Sequence, residues 1–225
     1  MRVLLIEDDR AASFGIELVL RADAMCIDSV DRGEDGIETA RHHDYDAIVL
    51  DLRLPDMSGF DVVRGLRCAK IRTPVIILSG SAMLEDKIRA LKAGADDYLT
   101  KPFSAGELTA RLRTLVRRSR GFSDARICLG PMTLDLAAKT LESGGRRIEL
   151  SAKEYQILEL LSLRRGTAVS KDVLMDHIYG NGDGPDSSTM EVFVHRLRRK
   201  LTSACEGGHF IETVRDHGYL VRQAA

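Results

Sequence analysis

Short apolar runs alternate with segments of helical periodicity through the first half of the chain. The runs are RVLLIE, MCIDSV, AIVL, VIILS and DYLT, and each predicts a strand. After each run, apolar residues recur at the i, i+3, i+4 spacing of an amphipathic helix. The predicted helices span residues 10–22, 33–42, 60–68, 84–93 and 105–118. Five strand-then-helix units predict an α/β fold, a five-stranded parallel doubly wound sheet with helices on both faces.

The pattern changes after Arg118. The segment RSRGFSDA is polar with one Phe, and we interpret residues 119–125 as a linker. Four short strands are then expected at residues 127–129, 133–136, 140–142 and 146–149, with SGG as a hairpin turn. Three helices follow, and the chain closes with two β runs, FIETV and YLV, around a tight turn. The sequence therefore predicts a first domain at residues 1–118 and a second, α+β domain at residues 126–225.

Two helices of the second domain have the start typical of a capping box, Ser151 with Glu154 and Ser188 with Glu191. The helix from Ser188 carries an apolar stripe of Met190, Phe193, Val194, Leu197 and Leu201. Away from that stripe lie His195, Arg196, Arg198, Arg199 and Lys200. A core-anchored helix with a cationic outer face fits the major groove of B-DNA. A solvated surface helix with basic residues near its carboxyl end remains the alternative.

Polar residues follow the predicted strands of the first domain. The first strand ends in Glu7, Asp8 and Asp9, the third in Asp51 and the fourth in Ser79, while Lys101 follows the fifth. The carboxyl ends of parallel strands in an open α/β sheet are where ligands bind. We therefore expect these side chains to converge.

Converging carboxylates repel one another unless a cation lies between them. Mg²⁺ suits them, because it prefers hard oxygen ligands and keeps waters that a phosphate can replace. A carboxylate beside Mg²⁺, with a lysine and a hydroxyl nearby, can accept a phosphoryl group. Structural alternatives stay open for each feature: the acidic triplet at a helix start, Lys101-Pro102 as a loop, and Ser79 as a satisfied hydroxyl.

Four segments, LLIEDD, VLDLRLPDMSG, VIILSG and GADDYLTKPF, resemble the receiver domain of two-component response regulators in order and spacing across about residues 1–118. The resemblance implies a flavodoxin-like receiver with Asp51 as phosphoacceptor. It implies an acidic pocket and Mg²⁺ site made by Glu7, Asp8, Asp51 and the main-chain carbonyl of Arg53. It assigns the switch and phosphate contacts to Ser79, Tyr98 and Lys101. Asp56 and Asp61 remain structural.

The resemblance also implies a dimerisation face. Its residues are Lys87, Asp96, Asp97, Glu107, Arg111 and Arg118. Ordinary solvated helix charge is the alternative, because exposed ion pairs are common and individually weak.

The second domain resembles the winged helix-turn-helix effector of the OmpR/PhoB class across about residues 126–222. The matching pieces are LSAKEYQILELL, STMEVFVHRLRRKL and IETVRDHGYLV. The resemblance makes residues 188–201 the recognition helix and places Thr213 and Arg215 on the wing. Within the class, KEYQILELLSLRRGT and EVF look most like a regulator of the bacterial cell cycle. The wing turn departs from the class pattern, because Asp216 brings an acid to a phosphate-facing turn. Ser188, where relatives often carry a basic residue, and the acidic NGDGPDSS before the helix reduce basic character further.

Composition changes this picture only in part. The net charge of −1 gives no indication of nucleic acid, so DNA binding depends on local clustering. The four cysteines are scattered without zinc-binding spacing, and we expect them to be reduced. No apolar run approaches a membrane span and no secretion signal is evident, so we expect a cytoplasmic protein without a membrane partner.

The leading hypothesis is a phosphorylation-controlled transcription regulator. Its expected partners are double-stranded DNA, a sensor histidine kinase or phosphotransfer protein, RNA polymerase, and a second copy of the chain on phosphorylation. One alternative is a phosphorylation-independent DNA-binding regulator that uses the receiver as a dimerisation module. Another is a Mg²⁺-dependent aspartyl-phosphate phosphohydrolase, although such enzymes carry a second acid two residues after the nucleophile, where this chain has Arg53. We therefore do not expect an enzyme.

Overall fold

The computed structural model describes residues 1–179, 188–205 and 210–222, and of Ser188 only the backbone. The chain divides into two compact units, Met1–Ser119 and Arg120–Ala225. In the described part of the chain, no helix is long and apolar enough to cross a lipid bilayer.

The first unit is a five-stranded parallel sheet with strand order β2-β1-β3-β4-β5. The strands are β1 (Arg2–Ile6), β2 (Cys26–Val30), β3 (Ala47–Asp51), β4 (Val75–Ser79) and β5 (Asp97–Thr100). The helices are α1 (Arg10–Ala22), α2 (Gly33–His42), α3 (Gly59–Cys68), α4 (Leu84–Ala93) and α5 (Ala105–Ser119). Strands β3 and β4 are buried along their whole length, because helices cover both faces of the sheet. The predicted fold class is confirmed.

The connection after β3 is fixed by close backbone packing. A Cβ atom on Gly59 would lie 2.6 Å from the main-chain oxygen of Asp51, so only glycine fits there. Asp56 accepts hydrogen bonds from the main-chain N–H groups of Gly33 and Glu34, each at 2.9 Å, at the start of α2. The loop that follows Asp51 is therefore joined to both α2 and α3.

The second unit begins with an antiparallel four-stranded sheet in the order β6-β7-β8-β9. Its strands are β6 (Arg126–Leu129), β7 (Met132–Asp135), β8 (Thr140–Ser143) and β9 (Arg146–Ile148). Three helices follow, α6 (Ala152–Leu163), α7 (Lys171–Tyr179) and α8 (Ser188–Ala204), and then a hairpin of β10 (Ile211–Val214) and β11 (Gly218–Val221). This is the winged-helix arrangement expected from the sequence.

One apolar core joins these elements of the second unit. Helix α8 contributes Met190, Val194, Leu197 and Leu201, each almost completely buried. Phe122 also packs against this core, under the guanidinium of Arg165, although we had expected a linker at that position. A β-bridge between Val169 and Tyr219 holds the wing to the segment before α7.

Candidate phosphoacceptor site and nucleic-acid interface

Three carboxylates gather at the carboxyl ends of β1 and β3. Oxygen atoms of Glu7, Asp8 and Asp51 lie within 4.8 Å of one another. Glu7 and Asp51 are buried and Asp8 is exposed, so the cluster opens to solvent on one side. The structure therefore brings together the three acids that the sequence predicted as a pocket.

Lys101 lies between the two buried acids. Its Nζ atom donates to Glu7 Oε2 at 2.6 Å and to Asp51 Oδ1 at 2.7 Å. Burial raises the pKa of Glu7, an effect that Lys101 only partly offsets, and the charge of Asp51 raises it further. Burial alone would lower the pKa of Lys101, but its bonds to Asp51 and Glu7 raise it. The ammonium is thus held charged beside the predicted phosphoacceptor.

The donor set fits Mg²⁺. Three hard carboxylate oxygens, one of them exposed, leave room for waters that a phosphoryl oxygen can replace. The N–H of Arg53 donates to Asp51 Oδ2 at 2.6 Å, which places the Arg53 main chain beside the cluster. Ligation by the Arg53 carbonyl stays a prediction. Asp9 has a different role, because it accepts hydrogen bonds from Ala11 and Ala12 as the N-cap of α1.

Ser79 and Tyr98 are connected through Ser81, which was not among the residues predicted from the sequence. The buried Ser79 ends β4, and its hydroxyl oxygen accepts a hydrogen bond from the N–H of Ser81 at 3.1 Å. The Tyr98 hydroxyl donates to the carbonyl of Ser81 at 2.9 Å, and the Ser81 hydroxyl donates to Asp86 at 2.6 Å. Ser81 thus joins the pocket to β5 and to α4. Only its position two residues after Ser79, just before a helix, could have indicated this role.

The predicted dimerisation residues fall into separate groups. Arg111 contacts both Asp97 and Glu107, with each shortest N–O distance at 2.9 Å. Asp96 instead pairs with Arg67 and accepts the N–H of Val75. Lys87 lies half-buried on α4, and Arg118 is exposed near the end of α5. The apolar side chains that α4 exposes, Leu84, Ile88 and Leu91, were missed by the sequence reading.

Some basic side chains of α8 are exposed, and others donate hydrogen bonds to neighbouring elements. His195, Arg196 and Arg199 are exposed. Arg198 is instead directed to the wing, where it donates to the Ile211 carbonyl at 3.0 Å and to Thr213 Oγ1 at 2.8 Å.

Lys200 is directed to α6. It donates to the Glu149 carbonyl at 2.8 Å and to the buried Glu154 carboxylate at 2.7 Å. Arg198 and Lys200 are thus only partly exposed and are held by neighbouring elements, and their predicted contact with DNA stays a prediction. Both positions border the apolar stripe, and neighbouring elements supply acceptors that periodicity does not reveal.

The turn of the wing places an acidic residue beside Arg215. Arg215 and Asp216 are both exposed, with Nε and Oδ2 4.0 Å apart. Asp216 has a positive φ of 62° at the turn. Gly218 is required, because a Cβ atom there would lie 2.0 Å from the Val169 carbonyl oxygen. Two expectations, a DNA contact by the Ser188 side chain and the acidic character of residues 181–188, concern features that lie outside the described residues.

Replacing Lys200 with methionine should destabilise the protein near neutral pH by about 1–3 kcal/mol, because it removes the cation from a buried carboxylate. Burial alone would raise the pKa of Glu154, but Lys200 and the Ser151 N–H lower it below its ordinary value. A carboxyl group whose pKa is lower in the folded state stabilises the fold at pH values above its unfolded-state pKa. This stabilisation is lost as the pH falls. Calorimetric unfolding should therefore show a smaller difference from wild type near pH 4 than at neutral pH. Arg199→Met, on the exposed face, is the control; an equal loss at both pH values would contradict the assignment.

The fold and the site together define a response regulator with a DNA-binding effector domain. Residues 3–113 match the response regulator receiver domain family, and residues 145–221 match the family described as transcriptional regulatory protein, C terminal. The cell cycle response regulators CtrA of Brucella ovis and Brucella suis biovar 1 are each 49% identical over 223 residues, which cover 99% of this chain and 96% of theirs. The chain therefore belongs to the response regulator family with an OmpR/PhoB-type effector, and CtrA proteins are among its relatives.

A solved structure supports the same class for the first unit. The receiver domain of the Francisella response regulator 1452 is 36% identical with a TM-score of 0.51, and the match covers 52% of this chain and 98% of that one. The protein is thus a phosphorylation-controlled, DNA-binding transcription regulator rather than a metabolic enzyme. The phosphohydrolase alternative is thereby set aside.

Proposed function

We propose that Asp51 accepts a phosphoryl group from a histidine kinase or phosphotransfer protein. The observation that carries the proposal is Lys101, whose ammonium contacts both Asp51 and Glu7 while Asp8 leaves the cluster open to solvent. Mg²⁺ held by Glu7, Asp8, Asp51 and the Arg53 carbonyl would offset charge on the transferred oxygens. Lys101 would turn from the carboxylates to the phosphoryl oxygens.

The phosphodonor would dock on the exposed side of α1. Phe14 and Leu18 are one helical turn apart and are both more than half exposed. Phe14 lines a groove of about 640 Å³ that also includes Glu7 and Asp8. An apolar partner surface on α1 would therefore lie next to the pocket that receives the phosphoryl group.

The switch would act through Ser79. A phosphoryl group on Asp51 offers new acceptors to the Ser79 hydroxyl, which now accepts from the N–H of Ser81. A movement of Ser79 therefore disturbs Ser81, and with it the Tyr98 hydrogen bond and the Asp86 contact at the start of α4. The effect of the phosphoryl group on Asp51 is thereby transmitted to the surface formed by α4 and β5.

That surface, together with α5, is our proposed homodimer interface. It combines the exposed apolar residues Ile88 and Leu91 with the ion pairs that Arg111 makes to Asp97 and Glu107. In a two-fold dimer the same patch serves both copies, so an apolar centre with a charged rim is self-complementary. Phosphorylation would favour this dimer, and dimerisation would raise the effective concentration of two DNA-binding units on paired half-sites.

Ile88→Asp should abolish phosphorylation-dependent dimerisation, because it places a charge in the apolar centre of this surface. Analytical ultracentrifugation with Mg²⁺ and phosphoramidate should show a dimer for wild type and a monomer for the variant, with equal phosphoryl incorporation. Arg41→Asp makes a charge change on the exposed surface of α2, a helix outside the proposed interface, and should leave the dimer intact. A dimer of unchanged strength in Ile88→Asp would refute the interface.

The second unit would bind DNA through α8 and the wing. Arg196→Ala should weaken specific binding by about 1–3 kcal/mol if Arg196 reads a base. The melting temperature should not fall, because the Arg196 side chain is exposed. Arg198→Ala should lower the melting temperature, because it removes two hydrogen bonds to the wing. Footprinting and thermal unfolding of both variants separate the two roles. Wild-type footprints in Arg196→Ala would contradict this assignment.

The proposal also includes control of cell-cycle genes through RNA polymerase. The relatives are named cell cycle response regulators, which supports a role in controlling genes of the bacterial cell cycle. A regulator that binds promoters would act there on RNA polymerase. Transcription from a bound promoter with purified polymerase, with and without the protein, tests this part.

A further inference from the structure

A second groove of the first unit lies between α3 and α4. Its volume is about 470 Å³, which is within the range of small-molecule sites. None of the described residues that line it belongs to the acidic cluster of Glu7, Asp8 and Asp51. We call it the α3–α4 groove, and its polar and larger apolar lining residues are Phe60, Arg64, Glu85, Ile88, Arg89 and Lys92.

The lining combines apolar surface with an excess of positive charge. Ile88 is 45% exposed and supplies apolar surface. Arg64, Arg89 and Lys92 are exposed cations, and Glu85 is the one acid among the described residues of the groove. Three cations against one acid favour an anionic ligand.

Arg89 is held as a platform for stacking. Its guanidinium carbon lies 4.3 Å from the centre of the Phe60 ring, and Phe60 is buried in the first turn of α3. This cation–π contact orients the guanidinium group over the ring. Because Arg89 is exposed, the opposite face of its guanidinium is open to the groove. Guanidinium planes stack on nucleobases as well as on aromatic side chains.

Arg64 and Lys92 provide the positive charge that phosphate groups require. Arg64 pairs with Asp61 of its own helix, but both side chains are more than half exposed, and such surface pairs are weak. Lys92 is exposed in the last turn of α4. Arginine binds two phosphate oxygens at once, and lysine supplies a compact charge. A diphosphate offers oxygens to both side chains.

We propose that the α3–α4 groove binds a purine nucleoside diphosphate. The base stacks on the open face of Arg89 and contacts Ile88, and the phosphates pair with Arg64 and Lys92. A purine is favoured over a pyrimidine because its larger ring system covers more of the platform. An acidic peptide would neutralise the same cations but would leave the guanidinium face uncovered.

The bound nucleotide opposes homodimerisation. Ile88 lines the groove and is also part of the proposed homodimer interface. A nucleotide packed against Ile88 therefore competes with the second copy for the same surface of α4. Such coupling is reciprocal, so dimerisation also weakens nucleotide binding. This effect rests on the proposed homodimer, whereas nucleotide binding itself does not.

Isothermal titration calorimetry of the full-length protein with ADP and with GDP tests the site. EDTA is present, so that no metal ion bridges a nucleotide to Asp51. Adenosine and inorganic pyrophosphate are titrated separately, because each lacks one of the two sets of contacts. Each should bind about tenfold more weakly, or less tightly still, than the better diphosphate. If pyrophosphate binds as tightly as both nucleotides, stacking of the base is refuted.

Arg89→Ala removes the platform and should weaken nucleotide binding about tenfold or more. Arg41→Ala is the matched control, because it removes an exposed arginine from α2, outside the groove, and should bind as wild type does. Circular dichroism shows whether both variants are folded. If neither nucleotide binds wild type, or if Arg89→Ala binds as wild type does, the site is refuted.

Analytical ultracentrifugation with Mg²⁺ and phosphoramidate, with and without saturating nucleotide, tests the effect on the dimer. Nucleotide should raise the dimer Kd of wild type about fivefold or more and should leave that of Arg89→Ala unchanged. An unchanged wild-type dimer refutes the competition. If wild type forms no dimer without nucleotide, the proposed homodimer fails, and the calorimetric result still decides whether the site exists.

Discussion

Replacement of Asp51 with alanine should reduce phosphoryl incorporation from labelled acetyl phosphate by at least ~100-fold, because it removes the nucleophile. The carboxylate ends β3 and is held between the Arg53 N–H and the Lys101 ammonium, so no neighbouring acid can take its place without moving. Asp61→Asn is the matched control. Asp61 is exposed in the first turn of α3, outside the cluster of Glu7, Asp8 and Asp51, and its carboxylate accepts a hydrogen bond from the Ser58 hydroxyl.

The comparison of these two variants is decisive for the phosphoacceptor. Asp61→Asn should incorporate label as wild type does. Equal labelling of Asp51→Ala and wild type would show that another residue accepts the phosphoryl group. Circular dichroism of both variants shows whether the sheet is intact.

Replacement of Lys101 with methionine should lower the free energy of unfolding by about 3 kcal/mol when Mg²⁺ is absent. The substitution leaves the buried carboxylates of Glu7 and Asp51 facing one another without a cation. Added Mg²⁺ should recover part of the loss, because it supplies positive charge to the same oxygens. Urea denaturation with a chelator and with excess Mg²⁺ measures both effects.

The same variant should also respond differently to pH. Burial and the Asp51 charge already raise the pKa of Glu7 in the presence of Lys101. When folding raises the pKa of a glutamate, the free energy of unfolding decreases as the pH rises above the unfolded-state pKa, about 4.3. Without Mg²⁺, stability of Lys101→Met should therefore fall more steeply than that of wild type between about pH 4 and neutrality. Lys92→Met, on the exposed side of α4, should follow wild type. Equal slopes would contradict the assigned role of Lys101.

The receiver pocket was predictable because parallel strands align their carboxyl ends. Once the apolar runs were recognised as strands, Glu7, Asp51 and Ser79 had to fall on one edge of the sheet. The order β2-β1-β3-β4-β5 then places β1 and β3 side by side, which brings Glu7 close to Asp51. Lys101 reaches the same edge because it directly follows β5.

The contacts of Arg198 and Lys200 were not predictable from periodicity. A helical repeat identifies the buried face of α8, but Arg198 and Lys200 lie at its borders, and their long side chains extend to whichever acceptor is near. The acceptors belong to β10 and to the first turn of α6, 13 and 46 residues away in sequence. Periodicity likewise does not indicate that Asp56 accepts hydrogen bonds from the first N–H groups of α2, because these lie more than 20 residues earlier in the chain.

Phosphorylation of Asp51 should control the affinity of the protein for DNA. Fluorescence anisotropy of a selected duplex with the full-length protein and Mg²⁺, with and without phosphoramidate, tests it most directly. Coupling of this kind is typically worth 1–3 kcal/mol, so phosphoramidate should tighten wild-type binding by about 5- to 150-fold and leave Asp51→Ala unchanged. Equal wild-type affinity with and without phosphoramidate, or an equal response in Asp51→Ala, would contradict the account.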